Sequence, residues 1–272
     1  MQKPELSIII GHFKNQPMLE LCLDSIKNDL ASSNINAEII VSDGMTERST
    51  EYLMSDKYPE CIFIPHKKNV GYSGLVNDGL AVAKGEYILV LNYDIVVTQG
   101  SIKTLLEYLK DRPNVGMVAP KLLHFNEERQ QSIFRYYTPM TILARRTPLG
   151  RFTYFKSLEA DFIMSDVNHD EIQTPDWVMG SSMMISRTAL EKVGPMDHYN
   201  FFMYFEDVDW CRRFWHAGFI VVYNPSATMY HYLGKGSQSK FGIFDALFNK
   251  KTHWHIRSAI NFFWKYRNLV IK

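Results

Sequence analysis

The chain has 272 residues, 46% of them hydrophobic and 14% aromatic, which is enough to bury a core in one large domain or two small ones. Its 30 lysines and arginines nearly balance its 29 acidic residues, so the overall charge argues against a dedicated nucleic-acid-binding protein. The three cysteines lack the spacing of a zinc site or a disulfide framework, which favours a reducing compartment and predicts a cytoplasmic protein. Because we find neither a secretory signal pattern nor an apolar run of about 18 residues, we expect no membrane-spanning helix.

Short apolar runs alternate with helical patterns through the first part of the chain. The runs that predict strands are residues 6–10, 38–42, 61–65 and 86–92. Helical patterns follow them, and the clearest lie after Pro17, over residues 73–83 and over residues 101–110. Strands that are separated by helices and continuous enough to be buried on both faces predict a doubly wound α/β fold with a mainly parallel central sheet.

Beyond Pro113 the pattern becomes less regular. We predict strands over residues 115–120, 121–125, 177–187 and 219–223, and helices over residues 188–194 and 207–216. Residues 139–174 show no steady period and mix three arginines with a later acidic cluster, so we predict a long, partly mobile loop there.

Polar residues follow predicted strands at the edge of the sheet where open α/β folds bind ligands. Asp43 ends the second strand, where its carboxylate could accept a hydrogen bond from a nucleobase N–H or a ribose hydroxyl; helix capping is the alternative. Asn92 and Asp94 end the fourth strand two residues apart, so they face the same side of an extended chain. Asp94 could bind Mg²⁺ or Mn²⁺ together with phosphate oxygens and water, and a satisfied turn aspartate is the alternative.

The segment after the third strand, NVGYSGLVNDG, brings two glycines and an amide to the same edge. Gly71 and Gly74 would let the backbone approach a ligand closely, although two glycines in a loop are more often a simple turn. Asn77 enters the following helix. We therefore include Gly71, Gly74 and Asn77 among the candidate ligand contacts.

Three acids follow a wall of aromatic residues and methionine in the segment FFMYFEDVDW. An apolar environment raises the pKa of a carboxylate toward that of a useful general base, whereas the amino end of the helix that begins at Asp207 opposes this shift. Glu206 and Asp207 are the candidates for catalysis. Asp209 is predicted to cap the helix or to pair with Arg212 or Arg213. An acid cluster that only stabilises the helix is the alternative.

Five segments occur in an order and spacing typical of one known family: SIIIGHFKN, IIVSDGMTERST, NVGYSGLVNDGLAVAKGEYILVLNYD, WVMGSSMMISRTALEKVGPMD and FFMYFEDVDWCRRFWHAGF. Together they resemble the family 2 glycosyltransferases with a GT-A fold, and most of all the bacterial rhamnosyltransferase-type members. The resemblance covers roughly residues 5–232. It implies a catalytic domain at 1–232, with a Rossmann-like nucleotide-sugar-binding half at 1–112 and an acceptor-binding half at 113–232, followed by a helical tail at 233–272.

The resemblance also implies a chemistry: a nucleoside diphosphate sugar as donor, Mg²⁺ or Mn²⁺ as cofactor, and an inverting displacement on a saccharide acceptor, which is lipid-linked in many relatives. Asp43 then contacts the nucleoside, and Asp94 contacts the metal and the diphosphate. His231 is a candidate metal ligand, and Lys235 is a candidate phosphate contact. Asn92 departs from the family pattern, because many GT-A enzymes have an acid at this position.

On the acceptor side, the resemblance implies that Asp207 is the catalytic base and that Glu206 positions acceptor hydroxyls. A sugar nucleotidyltransferase is the alternative enzyme, but the segment GHFKNQP after the first strand lacks the phosphate loop rich in glycine and arginine that such an enzyme needs. A non-catalytic nucleotide- or polysaccharide-binding protein is the third hypothesis.

The tail at 233–272 combines eight lysines and arginines with many aromatic residues and a single acid, Asp245. Such a segment could lie on an anionic membrane, with its rings in the interface and its cations near the head groups. It could equally pack as a helix on the domain or on another copy of the chain in a homo-oligomer. The composition would also suit single-stranded nucleic acid, a partner that we do not expect here. A membrane contact would place the protein at the inner face of the cell membrane.

Overall fold

The computed structural model describes residues 3–232 and 250–268. The strands are β1 Leu6–His12, β2 Ala37–Asp43, β3 Ile62–Pro65, β4 Tyr87–Asn92, β5 Ile95–Val97, β6 Val115–Leu123, β7 Ile133–Phe134, β8 Trp177–Val178, β9 Ser182–Ser186 and β10 Ile220–His231. The helices are α1 Gln16–Ala31, α2 Arg48–Asp56, α3 Tyr72–Val82, α4 Ser101–Lys110, α5 Pro139–Arg146, a 3-10 helix Pro148–Arg151, α6 Thr153–Phe162, α7 Arg187–Val193, α8 Glu206–His216 and α9 Lys250–Tyr266.

Eight strands form one sheet in the order β3-β2-β1-β4-β9-β6-β10-β5, and β7 pairs with β8 in a separate ribbon. The pairs among β3, β2, β1 and β4 are parallel, as is the pair of β6 and β10, whereas β9 and β5 run antiparallel to their neighbours. The sheet is mainly parallel, so the predicted α/β class is confirmed. Because β9 pairs with both β4 and β6, one sheet runs through the two predicted halves, and their division stays a prediction.

Both faces of the sheet are buried, as the continuous apolar runs predicted. Ile9 of β1 lies in one core layer, which includes side chains from α3, α7, α8 and α9. Ile8 and Ile10 lie in a second layer, which includes side chains from α1, α2 and α4. Side chains alternate along a strand, so β1 contacts both layers along its whole length. This two-sided packing holds the carboxyl ends of the central strands in fixed positions.

The prediction of a loop over residues 139–174 is wrong for most of its length, because residues 139–162 form α5, the 3-10 helix and α6. Thr138 caps α5 by accepting a hydrogen bond from the Thr141 N–H at 3.1 Å. The two α-helices have only 8 and 10 residues, and both carry exposed apolar side chains as well as buried ones. Apolar residues on both sides of a short helix hide its period in the sequence. We refer to residues 139–162 as the hairpin.

Other boundaries differ in smaller ways from the prediction. The two strands predicted at 115–120 and 121–125 form the single strand β6, and the strand predicted at 177–187 divides around Gly180 into β8 and β9. The short strand β5, at the edge of the large sheet, was not predicted.

The described part of the tail is the helix α9, which packs on the domain. Phe262 and Tyr266 are buried, and the Ser258 hydroxyl donates to the Met203 carbonyl at 3.0 Å. Packing is therefore the interpretation that the described part of the tail supports, while residues 233–249 lie outside the described residues. None of the helices that the structure describes combines the length and the apolar surface that a bilayer-spanning segment needs.

Gly71 marks a close contact between the start of α3 and the segment before α8. Its φ of 77° and ψ of 164° lie in a region that only glycine readily occupies. An added Cβ would also overlap the carbonyl oxygen of Phe202. Gly100, at the start of α4, has a similar φ of 81°, but an added Cβ would meet no atom within 4 Å.

We predict that Gly71→Ala lowers the free energy of unfolding by about 3 kcal/mol or more, because a steric clash adds to the backbone strain. Gly100→Ala is the matched control, and it should cost only about 1 kcal/mol, the usual penalty for alanine in a left-handed conformation. Urea unfolding followed by circular dichroism measures both values. Equal losses would show that the contact with Phe202 does not constrain the fold.

Candidate active site

The carboxyl ends of β1, β2 and β4 lie side by side, because the register pairs His12 with Asp43 and Gly11 with Asn92. The His12 Nδ1–H donates to Asp43 Oδ1 at 2.7 Å, and both side chains are buried. Their other polar atoms, His12 Nε2 and Asp43 Oδ2, have no hydrogen-bond partner among the described residues. A buried polar atom without a partner costs about 1–3 kcal/mol, so this pair is typical of a site that a ligand completes. The sequence predicted Asp43 but not the contribution of His12.

Asp94 and His231 meet at the same edge of the sheet. Asp94 follows β4, His231 ends β10, and Asp94 Oδ1 lies 3.3 Å from His231 Nε2. The two atoms do not have hydrogen-bond geometry, since Asp94 Oδ1 is without a hydrogen-bond partner among the described residues. On the other side of the ring, His231 Nδ1 lies 3.0 Å from Gln130 Oε1. An amide oxygen only accepts hydrogen bonds, so Nδ1 carries a proton, and the neutral ring that a metal requires would present the Nε2 lone pair toward Asp94.

This pair fits a divalent cation. Carboxylate oxygen and imidazole nitrogen both suit Mn²⁺, and adjacent ligands of an octahedral ion with bonds of about 2.1 Å lie about 3 Å apart. No group of three histidine, cysteine or acidic side chains that could hold a metal occurs in the described part of the chain. Asp94 and His231 would therefore supply two ligands, and phosphate oxygens or water would supply the others.

Tyr72, at the start of α3, lies at the centre of the site, although the sequence did not single it out. Burial raises the pKa of its phenol well above the usual value, and the charges of Glu206, Asp207 and Asp94 raise it further. The Tyr72 hydroxyl donates to the carbonyl oxygen of Gly180. Gly180 connects Tyr72 to Asp207, because the Gly180 N–H donates to the Asp207 carboxylate at 3.0 Å. A tyrosine between two glycines in NVGYSG was the available signal, but apolar packing explained it equally well.

The two acids at the start of α8 have different environments. Asp207 accepts hydrogen bonds from the Gly180 N–H at 3.0 Å and from the Val208 N–H at 2.9 Å. Burial raises the pKa of Asp207, and these amides hold the rise back. Glu206 Oε2 has no hydrogen-bond partner among the described residues, and burial together with the charge of Asp207 raises its pKa well above the usual value. Glu206 thus retains its proton more readily, and Asp207 is the acid that ionises first.

Asp209 has a structural role, as predicted. Its carboxylate pairs with Arg213 at 2.9 Å and with Lys265 at 2.7 Å, and it accepts a hydrogen bond from the Tyr266 hydroxyl at 2.8 Å. The predicted pairing with Arg213 is therefore confirmed, and the other two contacts join α8 to α9.

The remaining predicted contacts are used within the protein or lie outside its described part. The backbone at Gly71 packs closely against the backbone of Phe202 and not against an open cleft. The Asn77 amide exchanges two hydrogen bonds with the backbone of Met196, at 2.8 and 2.9 Å, so it holds this segment on α3. Gly74 lies within α3, where an added Cβ would contact only Val70. Gly71 and Asn77 therefore have packing roles, and the donor contacts expected of Gly71, Gly74 and Asn77 stay predictions.

The predicted phosphate contact Lys235 lies outside the described residues.

Comparison with known proteins identifies the family. Residues 7–194 match the family model described as Glycosyl transferase family 2. The chain belongs to glycosyltransferase family 2. It is 27% identical over 241 residues to N-acetylglucosaminyl-diphospho-decaprenol L-rhamnosyltransferase of Mycobacterium tuberculosis, a match that covers 84% of the chain and 76% of the relative. It is 25% identical over 208 residues to the rhamnosyltransferase WbbL of Escherichia coli, covering 72% of the chain and 68% of that relative.

These matches confirm the resemblance to rhamnosyltransferase-type members of family 2. A shorter match, 31% identical over 108 residues, is to GalNAc(5)-diNAcBac-PP-undecaprenol beta-1,3-glucosyltransferase of Campylobacter jejuni, and it covers 38% of the chain and 34% of that relative.

Solved structures confirm the fold of this family 2 glycosyltransferase. GalNAc-T7 with UDP, GalNAc and Mn²⁺ gives a TM-score of 0.64 at 16% identity, over 85% of the chain and 44% of that structure. The mannosyltransferase PcManGT from Pyrobaculum calidifontis, in complex with GDP-Man and Mn²⁺, gives a TM-score of 0.58 at 16% identity, over 87% of the chain and 59% of that structure. The chain thus spans less than two thirds of both structures. At this identity the likeness establishes the GT-A fold.

Proposed function

We propose that this glycosyltransferase is a metal-dependent, inverting enzyme that moves a sugar, with rhamnose as the first candidate, from a nucleoside diphosphate to a lipid-linked saccharide in bacterial surface polysaccharide assembly. The observation that carries the proposal is the geometry at the ends of the central strands, where Asp94 lies 3.3 Å from His231 and the backbone of Gly180 holds both Asp207 and Tyr72. Relatives whose names specify decaprenol and undecaprenol acceptors support the choice of acceptor class. Such an acceptor would place the protein at the cytoplasmic face of the membrane.

On the donor side, the unpaired oxygen of Asp43 would accept a hydrogen bond from the nucleoside, and His12 would hold the carboxylate in position. Asp94 and His231 would hold Mg²⁺ or Mn²⁺. The metal, when bound, stabilises the negative charge that develops on the departing nucleoside diphosphate. Gln130 is a positioning residue in this proposal, because its hydrogen bond fixes the tautomer of His231.

On the acceptor side, Asp207 would take the proton of the acceptor hydroxyl as its oxygen attacks the anomeric carbon. The C–O bond to the diphosphate breaks on the opposite face of the sugar in the same step, which inverts the configuration. The Gly180 N–H orients the Asp207 carboxylate, and Glu206, which retains its proton, would donate a hydrogen bond to a sugar oxygen. The rings of Phe201 and Phe205, in the segment directly before these acids, are buried.

The alternative functions are less well supported. Membership of family 2 favours sugar transfer over nucleotidyl transfer. Buried acids such as Glu206, which lacks a hydrogen-bond partner among the described residues, reduce stability without an evident structural gain. This cost favours a catalytic site over a protein that only binds nucleotides or polysaccharides.

We predict that Asp207→Asn lowers transfer roughly 10²-fold or more, the usual effect of losing a general base, while donor affinity stays within a few-fold. The donor is chosen first, as the nucleoside diphosphate sugar that gives the largest thermal stabilisation with Mn²⁺. Asp78→Asn is the control, because Asp78 lies on α3 with its side chain 43% exposed and pairs with His66. Near-normal turnover of Asp207→Asn, or an equal loss in Asp78→Asn, would contradict the assignment.

We predict that Asp94→Ala abolishes measurable Mn²⁺ binding in the presence of the nucleoside diphosphate, because the proposed pair of metal ligands loses its carboxylate. Gln130→Met should weaken Mn²⁺ binding about 10-fold or more, since the tautomer of His231 is no longer fixed. Gln130→Glu keeps an acceptor for the Nδ1–H and should bind Mn²⁺ normally. Electron paramagnetic resonance of free Mn²⁺ gives the affinities without an activity assay. Full activity of the unaltered enzyme in a chelator would remove the premise of a metal site.

A further inference from the structure

The hairpin exposes an unusual concentration of apolar surface. Its exposed large apolar side chains are Met140, Leu143, Leu149, Phe152 and Tyr154. Phe152 and Tyr154 are the most prominent, with 63% and 62% of their surface exposed. Scattered apolar residues are normal on a soluble surface, but a cluster within so short a stretch indicates a surface that another phase or molecule covers.

Basic side chains lie among these apolar residues. Arg151 and Lys156 are exposed, and neither forms an ion pair with any of the described residues. Arg145 differs, because it lies 3.6 Å from Glu159 and stacks over the ring of Phe162. Exposed cations beside exposed aromatic and aliphatic side chains are the composition of a surface that lies on anionic lipid, with the rings in the interface and the cations at the head groups.

The hairpin is rigidly connected to the catalytic end of the molecule. Phe162, at the end of α6, is buried and packs against Phe134 and Tyr137 with ring centroids 5.2 and 4.6 Å apart. Tyr137 in turn lies 4.9 Å from the ring of Phe205, the residue directly before Glu206. Whatever the hairpin contacts is therefore held at a fixed distance from the proposed base.

We propose that the hairpin is a membrane-docking surface that inserts Phe152 and Tyr154 into the head-group region of an anionic bilayer. The proposal rests on the proposed function in one respect, since a lipid-linked acceptor is what makes docking useful to catalysis. The tail is the other candidate for this contact, because Ile256, Ile260 and Trp264 are spaced four residues apart on α9 and are 45%, 62% and 68% exposed. Its rings at Phe262 and Tyr266 are buried against the domain, which leaves Ile260 and Trp264 as its most exposed large apolar residues among those described.

The test is co-sedimentation of the full chain with vesicles of phosphatidylcholine containing about 30% phosphatidylglycerol, compared with pure phosphatidylcholine. We expect the unaltered protein to bind the anionic vesicles, and to bind less when salt is raised from about 0.1 M, because the charges are then screened. Phe152→Ser/Tyr154→Ser should reduce the partition coefficient at least tenfold. Arg151→Glu/Lys156→Glu should reduce it about 25-fold or more, since each of the two lost cations contributes about fivefold.

Matched variants separate docking from a general change of surface. Tyr52→Ser is the control for Tyr154→Ser, because Tyr52 is 60% exposed on α2, on the other side of the sheet from α8. We expect Tyr154→Ser to weaken vesicle binding and Tyr52→Ser to leave it within twofold. Ile260→Ser/Trp264→Ser tests the tail in the same assay, and truncation is avoided because α9 covers part of the core.

Several results would overturn the proposal. The first is an unaltered protein that does not bind anionic vesicles at low salt. The second is that hairpin variants bind the vesicles as well as the unaltered protein does. The third is a loss of binding that occurs only in the Ile260→Ser/Trp264→Ser variant. A hairpin that instead mediates self-association would show as dimers in sedimentation velocity that Phe152→Ser/Tyr154→Ser dissociates, with vesicle binding unchanged.

A water-soluble acceptor without its lipid separates this proposal from the proposed function. Hairpin variants should use such an acceptor as well as the unaltered protein does, and should lose turnover only with the lipid-linked acceptor in vesicles. If the unaltered protein transfers sugar to neither acceptor but still binds vesicles through the hairpin, the proposed function fails and the docking surface stands.

Discussion

The backbone of Gly180 holds the site together. Its N–H donates to the carboxylate of Asp207 at 3.0 Å, and its carbonyl accepts from the hydroxyl of Tyr72. The backbone of one residue between β8 and β9 therefore connects the start of α8, the start of α3 and the central sheet. A Cβ at this position would lie 3.1 Å from that of Asp207, so even the side chain of alanine would press on the proposed base. The orientation of Asp207, and with it the acceptor side of the site, depends on this junction.

The cost of the site is visible in its unpaired polar atoms. Among the described residues, the buried side-chain atoms without a hydrogen-bond partner belong to His12, Asp43, Asp94, Ser181, Glu206 and Arg212. All but Arg212 lie at the ends of the central strands, directly beside Gly180 or at the first residue of α8. Buried polar atoms normally have hydrogen-bond partners. A concentration of buried polar atoms without partners therefore indicates a site where substrate and metal complete the interactions. The apolar wall before α8 contributes by raising the pKa of Glu206 through burial.

Much of this arrangement could be predicted from the sequence, for identifiable reasons. Buried parallel strands leave continuous apolar runs, so the positions of Asp43 and Asp94 at strand ends could be read directly. The partners of these residues could not. Gln130 reaches His231 across 101 positions of the chain, and a lone glutamine carries no signal for such a contact. Gly71 also has the residue type expected for close backbone approach, but the sequence could not say that the approaching atom belongs to Phe202.

The hairpin is a case in which the sequence failed to predict the secondary structure itself. The prediction of α1 relied on a single apolar face of the helix. That signal is lost where a helix has apolar residues on its outer face as well. Tyr154, which is exposed on the outer face of α6 and hides its helical period, is also one of the two residues that we propose to enter the membrane. An error of prediction and a functional surface therefore have one physical cause, which is apolar surface that the fold itself does not bury.

The stereochemistry of the product tests the central claim most directly. The proposed displacement, with Asp207 as base and no covalent sugar–enzyme intermediate, requires inversion at the anomeric carbon. The configuration can be read from the one-bond coupling between C1 and H1 of the transferred sugar, by nuclear magnetic resonance of donor and product. The account predicts a product whose anomeric configuration is opposite to that of the donor, and retention of configuration would contradict it.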